Sequence, residues 1–368
     1  MEFRAAVLRQ VDQPLTVETV KLGGLKPTDV LIRIRASGLC HTDLEVMQGG
    51  LAYPLPIVLG HEGAGIVEKV GSAVTQVRPG DHVVASWNPN CGHCFYCERD
   101  QPILCEPYLN NVKAGHLPDG ESRYFLGVAK LHHFSVVSSH AEYCVVPESG
   151  AIAVPAEIPF DRACLIGCGV MTGVGAVSRL AKVEAGACVA VVGCGAVGLN
   201  ALQGATLQQS GVIIAIDRDA GRRDMAVDFG ATNFISAADA SAIEQVKALT
   251  GGRGADYVFE CAGSEASLQL SLEIVRPGGQ AVILGKTGVN QKVALRFGSL
   301  MGDKRIVRSS YGGARPRRDF PWLARAYLDG KLKLDELITM RLPLERINEG
   351  FDAMRRGEIV RAVIEFRD

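Results

Sequence analysis

Two groups of residues in the N-terminal half of the chain have the side chains of a metal site. The more compact group is a loop with three cysteines spaced three residues apart and a fourth eight residues later: Cys91, Cys94, Cys97 and Cys105. Four thiolates surround a tetrahedral ion and leave no open position, which is typical of structural zinc. An iron–sulfur cluster also takes four cysteines, but this spacing matches neither common ferredoxin pattern. The loop therefore predicts a structural zinc site.

The second group begins with Cys40 and His61, which offer a thiolate and an imidazole, the ligands that zinc prefers. Alone, the pair is more typical of a buried thiol and a buried ring than of a shared metal. A third candidate ligand, Cys168, stands between two glycines, which favour a backbone that a partner approaches closely. Cys164, one helical turn earlier, is the better candidate for a core position. Cys40, His61 and Cys168 are therefore candidate ligands of a second metal ion.

A dinucleotide-binding signature follows in the second half of the chain. An apolar run leads into a GxGxxG pattern and a helix-like segment, and a second apolar run ends at Asp217. This order is typical of a Rossmann unit, in which the glycines admit a pyrophosphate at the helix N-terminus. Asp217 favours NAD, since its charge would repel a 2′-phosphate, although Arg218 and Arg222 keep NADP open. We expect cofactor contacts from the turn, from one arginine beyond Asp217 and from one residue upstream of the turn: Gly193, Gly195, Val197, Gly198, Arg222 and Thr172.

The bulk composition indicates a globular enzyme of about two domains. The chain has 368 residues, of which 47% are hydrophobic and 21% charged, and its net charge is −1. That charge excludes the basic footprint of a nucleic-acid or membrane-surface protein. We find no long uninterrupted apolar run and no signal-peptide pattern at the N-terminus, so we predict a cytoplasmic protein. In that compartment, eleven cysteines favour metal ligands and buried thiols over disulfides.

The elements that must position these residues are of two kinds. Residues 1–86 contain short alternating strands with glycine and proline turns, which predict a compact β-rich domain. Beyond the GxGxxG turn, strands and helices alternate to about residue 312 and predict a doubly wound parallel sheet. Two helical patterns and a final strand, 362–366, close the chain. His132 and His133, in the connection 107–140, are interpreted as loop or pocket wall rather than as metal ligands.

With these motifs in order, the chain resembles the zinc-dependent medium-chain alcohol dehydrogenases, in particular the liver-type and glutathione-dependent formaldehyde dehydrogenase branch. The likeness spans nearly the whole length and includes Leu117–Gly120 and Arg361. It implies an α/β fold with a GroES-like catalytic domain (1–169) that carries the structural zinc lobe (about 90–106). It also implies a Rossmann NAD-binding domain (170–312) and a C-terminal segment (313–368) that returns to the catalytic domain. A homodimer is implied as well.

The resemblance assigns roles to individual residues. Cys40, His61 and Cys168 would hold a catalytic zinc with a fourth position open, and the four-cysteine loop would hold the structural zinc. Further roles follow residue by residue: Asp43 orients His61, Glu62 lies beside the metal, His41 and Arg361 contact the cofactor pyrophosphate, and Trp87 and Phe134 line the substrate channel.

The expected reaction is the reversible oxidation of a primary aromatic or medium-chain alcohol. Zinc would act as a Lewis acid on the alcohol oxygen and NAD would accept the hydride. Thr42 would pass the hydroxyl proton outward. The family often completes this relay with a histidine where this chain has Glu45, which is either a proton acceptor or a solvated charge.

One alternative is the oxidation of an S-hydroxymethyl adduct of a thiol, as in formaldehyde dehydrogenases. We disfavour glutathione as that thiol because Leu109 stands where an arginine is expected, and because the loop 48–53 lacks acidic residues. A second alternative is a non-catalytic, NAD-sensing regulator. It would predict the loss of a zinc ligand, and all three are present.

Overall fold

The computed structural model describes residues 1–111, 114–288 and 290–367. It forms two compact units, one from Met1–Cys168 with Arg315–Asp368 and the other from Gly169–Ala314. The domain boundaries expected from the sequence, 1–169, 170–312 and 313–368, remain a prediction.

Strands of two to ten residues occur in the described part of the chain. In chain order they are β1 (Glu2–Leu8), β2 (Thr16–Leu22), β3 (Asp29–Gly38), β4 (Ile57–Val58), β5 (Glu62–Val70), β6 (His82–Ala85), β7 (Tyr124–Leu126), β8 (Ala129–Lys130), β9 (His132–His133), β10 (Tyr143–Pro147), β11 (Ala151–Ala153), β12 (Cys188–Val192), β13 (Val212–Asp217), β14 (Asn233–Ser236), β15 (Ala255–Glu260), β16 (Val275–Ile283), β17 (Arg305–Arg308), β18 (Ile338–Leu342) and β19 (Arg361–Glu365).

The helices are mostly short. The α-helices are α1 (His41–Met47), α2 (Glu106–Asn111), α3 (Phe160–Leu165), α4 (Met171–Gly175), α5 (Ala196–Leu207), α6 (Arg223–Asp228), α7 (Ala242–Leu249), α8 (Glu265–Ile274), α9 (Pro316–Leu328) and α10 (Ile347–Arg355). Single 3₁₀ turns form at Cys97–Arg99, Pro102–Leu104, Glu148–Gly150, Ala220–Arg222, Phe297–Leu300, Tyr311–Gly313, Asp335–Leu337 and Leu344–Arg346. Two segments, Ile166–Val170 and Ala176–Ala181, are π-helical.

Two sheets make up the first unit, as the β-rich prediction requires. One has the order β8-β7-β2-β1-β4-β9, and the other β11-β6-β5-β3-β19-β18 with β10 also paired to β3. Strand β3 is buried on both faces because its side chains alternate between two cores. Ile32 and Ile34 pack in one cluster with Phe134 and Phe351, whereas Leu31 packs in another. The final strand, β19, pairs with β3 and so returns the end of the chain to the first sheet.

The second unit is built on the predicted doubly wound sheet. Its strands are all parallel, in the order β14-β13-β12-β15-β16-β17. Consecutive residues Val189, Ala190 and Val191 are all fully buried, as expected when helices cover both faces of a parallel sheet. The chain runs outward from β12 to β14 and then crosses back to β15. The switch in direction between β12 and β15 is where such sheets bind their ligands.

The structure differs from the sequence analysis in two places. His132 and His133 form strand β9, not a loop, because they pair with Ile57 and Val58. The helical segment 160–181 is long and apolar enough to cross a membrane, but 72% of its most apolar stretch is buried inside the protein. That burial accounts for its composition.

Candidate active site

The first unit brings together the donor atoms of Cys40, His61, Glu62 and Cys168, which all lie within 4.8 Å of one another. Cys40 is the N-cap residue of α1, and Glu62 is the first residue of β5, directly after His61. Cys168 lies in the π-helical segment Ile166–Val170, and its Sγ is 3.3 Å from His61 Nε2. π-helical turns occur frequently at functional sites. Three elements distant in sequence therefore converge on one point.

The backbone conformation of Gly60 directs His61 toward the other donor atoms. Gly60 has a φ of +93°, and a Cβ there would lie 2.5 Å from the backbone nitrogen of His140. Only glycine adopts this conformation at such a close approach without strain. A Cβ on Gly167, the residue before Cys168, would lie 3.1 Å from the Ala85 carbonyl oxygen. The turns that carry His61 and Cys168 therefore pack tightly against neighbouring segments of the first unit.

Asp43 connects two of the donor segments. Its fully buried carboxylate accepts hydrogen bonds from the backbone nitrogens of Cys40 (3.1 Å) and Gly60 (3.0 Å). Its Oδ1 also lies 3.3 Å from His61 Nδ1. A carboxylate on Nδ1 places the proton there and leaves Nε2 free to bind a metal. The structure therefore places the Asp43 carboxylate beside His61 Nδ1.

The protonation of the three donors is coupled. The hydrogen bond between the two thiols lowers the pKa of Cys40 and raises the pKa of Cys168, so that they share one proton. Burial lowers the pKa of His61, but the nearby charges of Asp43 and Cys40 more than offset this and raise it. Two thiols and one imidazole match the donor set of catalytic zinc, whose binding displaces these protons.

Glu62 and Arg361 form a buried pair next to these donors. Neither Glu62 carboxylate oxygen accepts a hydrogen bond from the described residues. Arg361 Nη1 is 3.2 Å from Glu62 Oε1 and donates to the carbonyl of Leu39 at 3.0 Å. Burial raises the pKa of Glu62 to about 7, although the Arg361 charge opposes the rise. A buried carboxylate without hydrogen bonds, within reach of three metal donors, fits a cation at this point.

The four-cysteine loop also forms one cluster. The sulfurs of Cys91, Cys94, Cys97 and Cys105 lie within 4.8 Å of one another. The backbone nitrogen of Cys91 donates to Cys105 Sγ at 3.2 Å, and a hydrogen bond from the Cys97 backbone lowers the pKa of Cys94 to about 6. Burial raises the pKa of Cys97 and of Cys105. Backbone N–H groups directed at sulfur stabilise thiolates. The cluster therefore fits a closed zinc site.

Comparison with known proteins decides the family. Residues 26–156 match the alcohol dehydrogenase GroES-like domain and residues 196–329 match the zinc-binding dehydrogenase domain. The chain is 39% identical over 373 residues to the S-(hydroxymethyl)glutathione dehydrogenase of Paracoccus denitrificans, covering 99% of this chain and 100% of that protein. The chain belongs to the zinc-dependent medium-chain alcohol dehydrogenases.

Solved structures agree with this family. An alcohol dehydrogenase zinc-binding domain protein from Burkholderia ambifaria has a TM-score of 0.95 at 33% identity, with full coverage of both chains. Benzyl alcohol dehydrogenase from Acinetobacter calcoaceticus has a TM-score of 0.94 at 29% identity, also with full coverage. These comparisons confirm the predicted fold class, a GroES-like domain with a Rossmann domain, and the prediction of an oxidoreductase. Zinc and NAD are accordingly the cofactors of this dehydrogenase, and its two cysteine clusters fit two zinc ions.

The turn after β12 fits a dinucleotide. Gly193 has a φ of +97°, and a Cβ on Gly198 would lie 1.8 Å from the Gly193 carbonyl oxygen, so both positions require glycine. A Cβ on Gly195 would meet nothing within 4 Å, which leaves room for a pyrophosphate at the start of α5. Asp217, at the end of β13, accepts from the Cys194 backbone nitrogen at 2.6 Å. Arg222 donates to the Cys194 carbonyl at 3.0 Å and thus lies against the same turn.

The remaining predicted residues are distributed around these sites. On α1, His41 is exposed, whereas Thr42 and Glu45 are half-buried and lie three residues apart on one side of the helix. Thr172 and Val197 are half-buried in α4 and α5 of the second unit. The Leu109 side chain lies outside the described part of the chain.

Aromatic side chains line the first unit next to the metal donors. Phe134 is fully buried, and its ring lies edge-on to His61 with centroids 5.5 Å apart. Tyr53, which the sequence analysis did not single out, packs against Phe134 at 5.0 Å. Trp87 is partly buried against the same core. An aromatic residue in a loop carries no periodic signal, and only the contact with Phe134 identifies Tyr53.

Proposed function

We propose that this dehydrogenase oxidises the S-hydroxymethyl adduct formed by formaldehyde and a small thiol. The adduct loses hydride to NAD⁺ and a proton to the protein, giving the S-formyl thiol and NADH. The observation that carries this proposal is the full-length similarity to an S-(hydroxymethyl)glutathione dehydrogenase. This similarity favours an S-hydroxymethyl thiol adduct, which the sequence analysis gave as an alternative, over a simple primary alcohol as the substrate.

A primary aromatic alcohol is the second candidate substrate. The carbon chemistry is the same, since both substrates carry a CH₂OH group. Two observations favour it: the similarity to benzyl alcohol dehydrogenase over the full chain, and the aromatic wall of Tyr53 and Phe134 beside His61. An apolar wall suits a benzyl or medium-chain group better than the charged ends of glutathione.

Initial rates of NADH formation separate the two candidates. The substrates are formaldehyde with glutathione, formaldehyde with other small thiols, benzyl alcohol and hexanol, each at matched concentrations. We expect the highest kcat/KM with a thiol adduct, and no activity with formaldehyde when the thiol is omitted. A higher kcat/KM with benzyl alcohol or hexanol than with every thiol adduct would refute the first proposal and support the second.

In this function the donors described above have distinct roles. We propose that Cys40, His61 and Cys168 hold the catalytic zinc and that the four-cysteine loop holds the structural zinc. Bound at the first site, zinc supplies a Lewis acid for the substrate oxygen. Thr42 and Glu45, on one side of α1, would carry the substrate proton outward, and Phe134 and Trp87 would orient the substrate.

The two units carry separate parts of this function. We propose a catalytic domain from residues 1–169 and 313–368 and an NAD-binding domain from residues 170–312. Asp217 would bind the adenosine ribose and select NAD, and Gly193, Gly195, Val197 and Gly198 would contact the pyrophosphate. His41, Thr172, Arg222 and Arg361 would complete the cofactor contacts. Titration of the protein with NADH and NADPH by fluorescence tests the preference.

We also propose a cytoplasmic homodimer. Strand β17 is the last strand of the parallel sheet, and the segment leading to it exposes Phe297 (76%) and Met301 (62%). Ile306, on β17 itself, is also exposed. An edge strand with exposed apolar neighbours favours pairing with a second copy. Light scattering after size-exclusion chromatography should give twice the mass of the chain, and a monomer mass would contradict this assignment.

A further inference from the structure

A cluster of buried polar side chains lies beside Asp43. His140, Ser37 and Ser139 are all fully buried. The Ser37 hydroxyl lies 2.9 Å from His140 Nδ1 and 2.7 Å from the Ser139 hydroxyl. His140 Nε2, by contrast, has no hydrogen-bond partner among the described residues and lies 3.9 Å from Asp43 Oδ1. The cluster thus ends in an unsatisfied ring nitrogen that faces the carboxylate next to His61.

The charge of Asp43 selects one tautomer of His140. Burial lowers the pKa of His140 to about 4, so the ring is neutral at physiological pH and carries one proton. If Nδ1 accepts a hydrogen bond from Ser37, the proton is on Nε2 and faces the carboxylate. The other tautomer would place the Nε2 lone pair against a buried negative charge, which is unfavourable. The Nε2–H dipole therefore stabilises the Asp43 carboxylate.

The backbone fixes His140 relative to the zinc ligand. The backbone nitrogen of His140 donates to the Leu59 carbonyl at 3.0 Å, and that of Ser139 donates to the Gly60 carbonyl at 3.0 Å. A Cβ on Gly60 would lie 2.6 Å from His140 Nδ1. The residues directly before His61 and the segment 139–140 therefore pack as one rigid piece.

We propose that His140 is a positioning residue of the catalytic zinc site, whose Nε2–H holds the Asp43 carboxylate in the geometry that orients His61. This rests on the proposed zinc ligation by Cys40, His61 and Cys168. His140 makes no contact with the substrate in this scheme; it acts through Asp43. Outer contacts of this kind change metal affinity by about 10–100-fold. Since the 3.9 Å separation is longer than a hydrogen bond, we expect the lower end of that range.

The test compares His140→Phe, which keeps an aromatic ring without polar atoms, with His140→Gln, which keeps a side-chain N–H donor of similar reach. Purified holoprotein is mixed with a chromogenic chelator and the release of each zinc is followed over time. The Cys97→Ala variant, which lacks the lobe zinc, assigns the two release phases. We expect catalytic zinc to leave His140→Phe about tenfold faster than wild type. His140→Gln should release it at close to the wild-type rate, and the lobe zinc should be released equally in all three proteins.

A second readout distinguishes positioning from packing. Cobalt at the catalytic site should show shifted visible absorption bands in His140→Phe and wild-type bands in His140→Gln. The proposal would be overturned if His140→Phe released the catalytic zinc at the wild-type rate. It would also be overturned if His140→Phe and His140→Gln released it equally faster than wild type. If His140→Phe does not fold, Ser37→Ala, which removes the hydroxyl that sets the tautomer, should accelerate release in the same direction; an unchanged rate would overturn it. Wild-type protein with two zinc ions but no activity on any adduct or alcohol would contradict the proposed reaction alone.

Discussion

The substitution Asp43→Asn isolates the charge of the residue that joins the segments of two proposed zinc ligands, Cys40 and His61. It keeps the size of a fully buried side chain and one carbonyl oxygen. In the wild type, Oδ1 accepts from Gly60 and faces His61 Nδ1, while Oδ2 accepts from Cys40. The amide keeps the Oδ1 interactions in one orientation only, and its NH₂ group then meets the Cys40 N–H. The variant therefore loses one hydrogen bond and sets two donors against each other.

The expected size follows from these contacts. A hydrogen bond to a charged acceptor contributes about 1.5–3 kcal/mol, so we expect the free energy of unfolding to fall by about 2 kcal/mol. The larger effect is on the metal, because His61 loses the carboxylate that raises its basicity. Loss of such a partner lowers metal affinity by about 10–100-fold. The reverse amide orientation would lose two interactions instead of one, so the loss of about 2 kcal/mol in unfolding free energy is a lower bound.

Zinc content per chain and competition with a chelator measure the affinity, and chemical denaturation measures the stability. Asp239→Asn is the matched control, because Asp239 also accepts a backbone hydrogen bond, from Ser241 at 2.8 Å, but is exposed and distant in sequence from the ligands. The control should keep wild-type zinc affinity. If Asp43→Asn retains both zinc ions with wild-type affinity, the carboxylate does not orient His61 and the reasoning fails.

Three further predictions concern the lobe, the cofactor and pH. Cys97→Ala should hold one zinc instead of two and melt at a lower temperature, because the binding energy of structural zinc is folding energy; an unchanged melting temperature would exclude a stabilising metal there. Asp217→Asn removes the charge that would face a 2′-phosphate. The ratio of kcat/KM with NAD to kcat/KM with NADP should therefore fall by about tenfold, or about 1.4 kcal/mol. A constant ratio would show that Asp217 does not select between the two cofactors. Burial lowers the pKa of His133 to about 3 from its ordinary 6.5, so between these values the unfolded chain binds a proton that the folded chain does not. The stability that the neutral His133 contributes is complete above pH 6.5 and is lost as the pH falls toward 3, by up to about 1.4 kcal/mol per pH unit. The variant His133→Gln keeps an acceptor for the Arg123 backbone nitrogen and should flatten this dependence of the unfolding free energy on pH. The exposed control His93→Gln should leave the dependence unchanged.

Short-range features of this protein could be predicted from the sequence because covalent spacing fixes them. The four sulfurs of the lobe come from residues 91–105 and need only one loop to meet. The GxGxxG turn needs only the strand before it and the helix after it, and both form where the pattern places them. Alternation of apolar residues within residues 1–86 likewise predicted β-strands, and β3 forms in this region.

Contacts between residues that are far apart in the sequence are a different case, because they depend on the fold. The identity of Cys40, His61 and Cys168 made them candidate ligands, but their meeting requires β5 and the π-helical turn at Ile166–Val170 to converge over more than a hundred residues. For His132 and His133 the sequence left two alternatives, a loop or a pocket wall. The prediction of a loop was wrong for the same reason, since a strand of two residues exists only through its partner, β4.

The pairing of Glu62 with Arg361 and the approach of His140 to Asp43 lie further beyond sequence reasoning. Each joins side chains that no local pattern relates, and each depends on the few ångströms that separate a buried charge from its partner. The sequence determined by itself which chemical groups this dehydrogenase possesses. The tertiary structure decided which of those groups share a site, because electrostatic and metal-ligand interactions act over distances that only the packed chain defines.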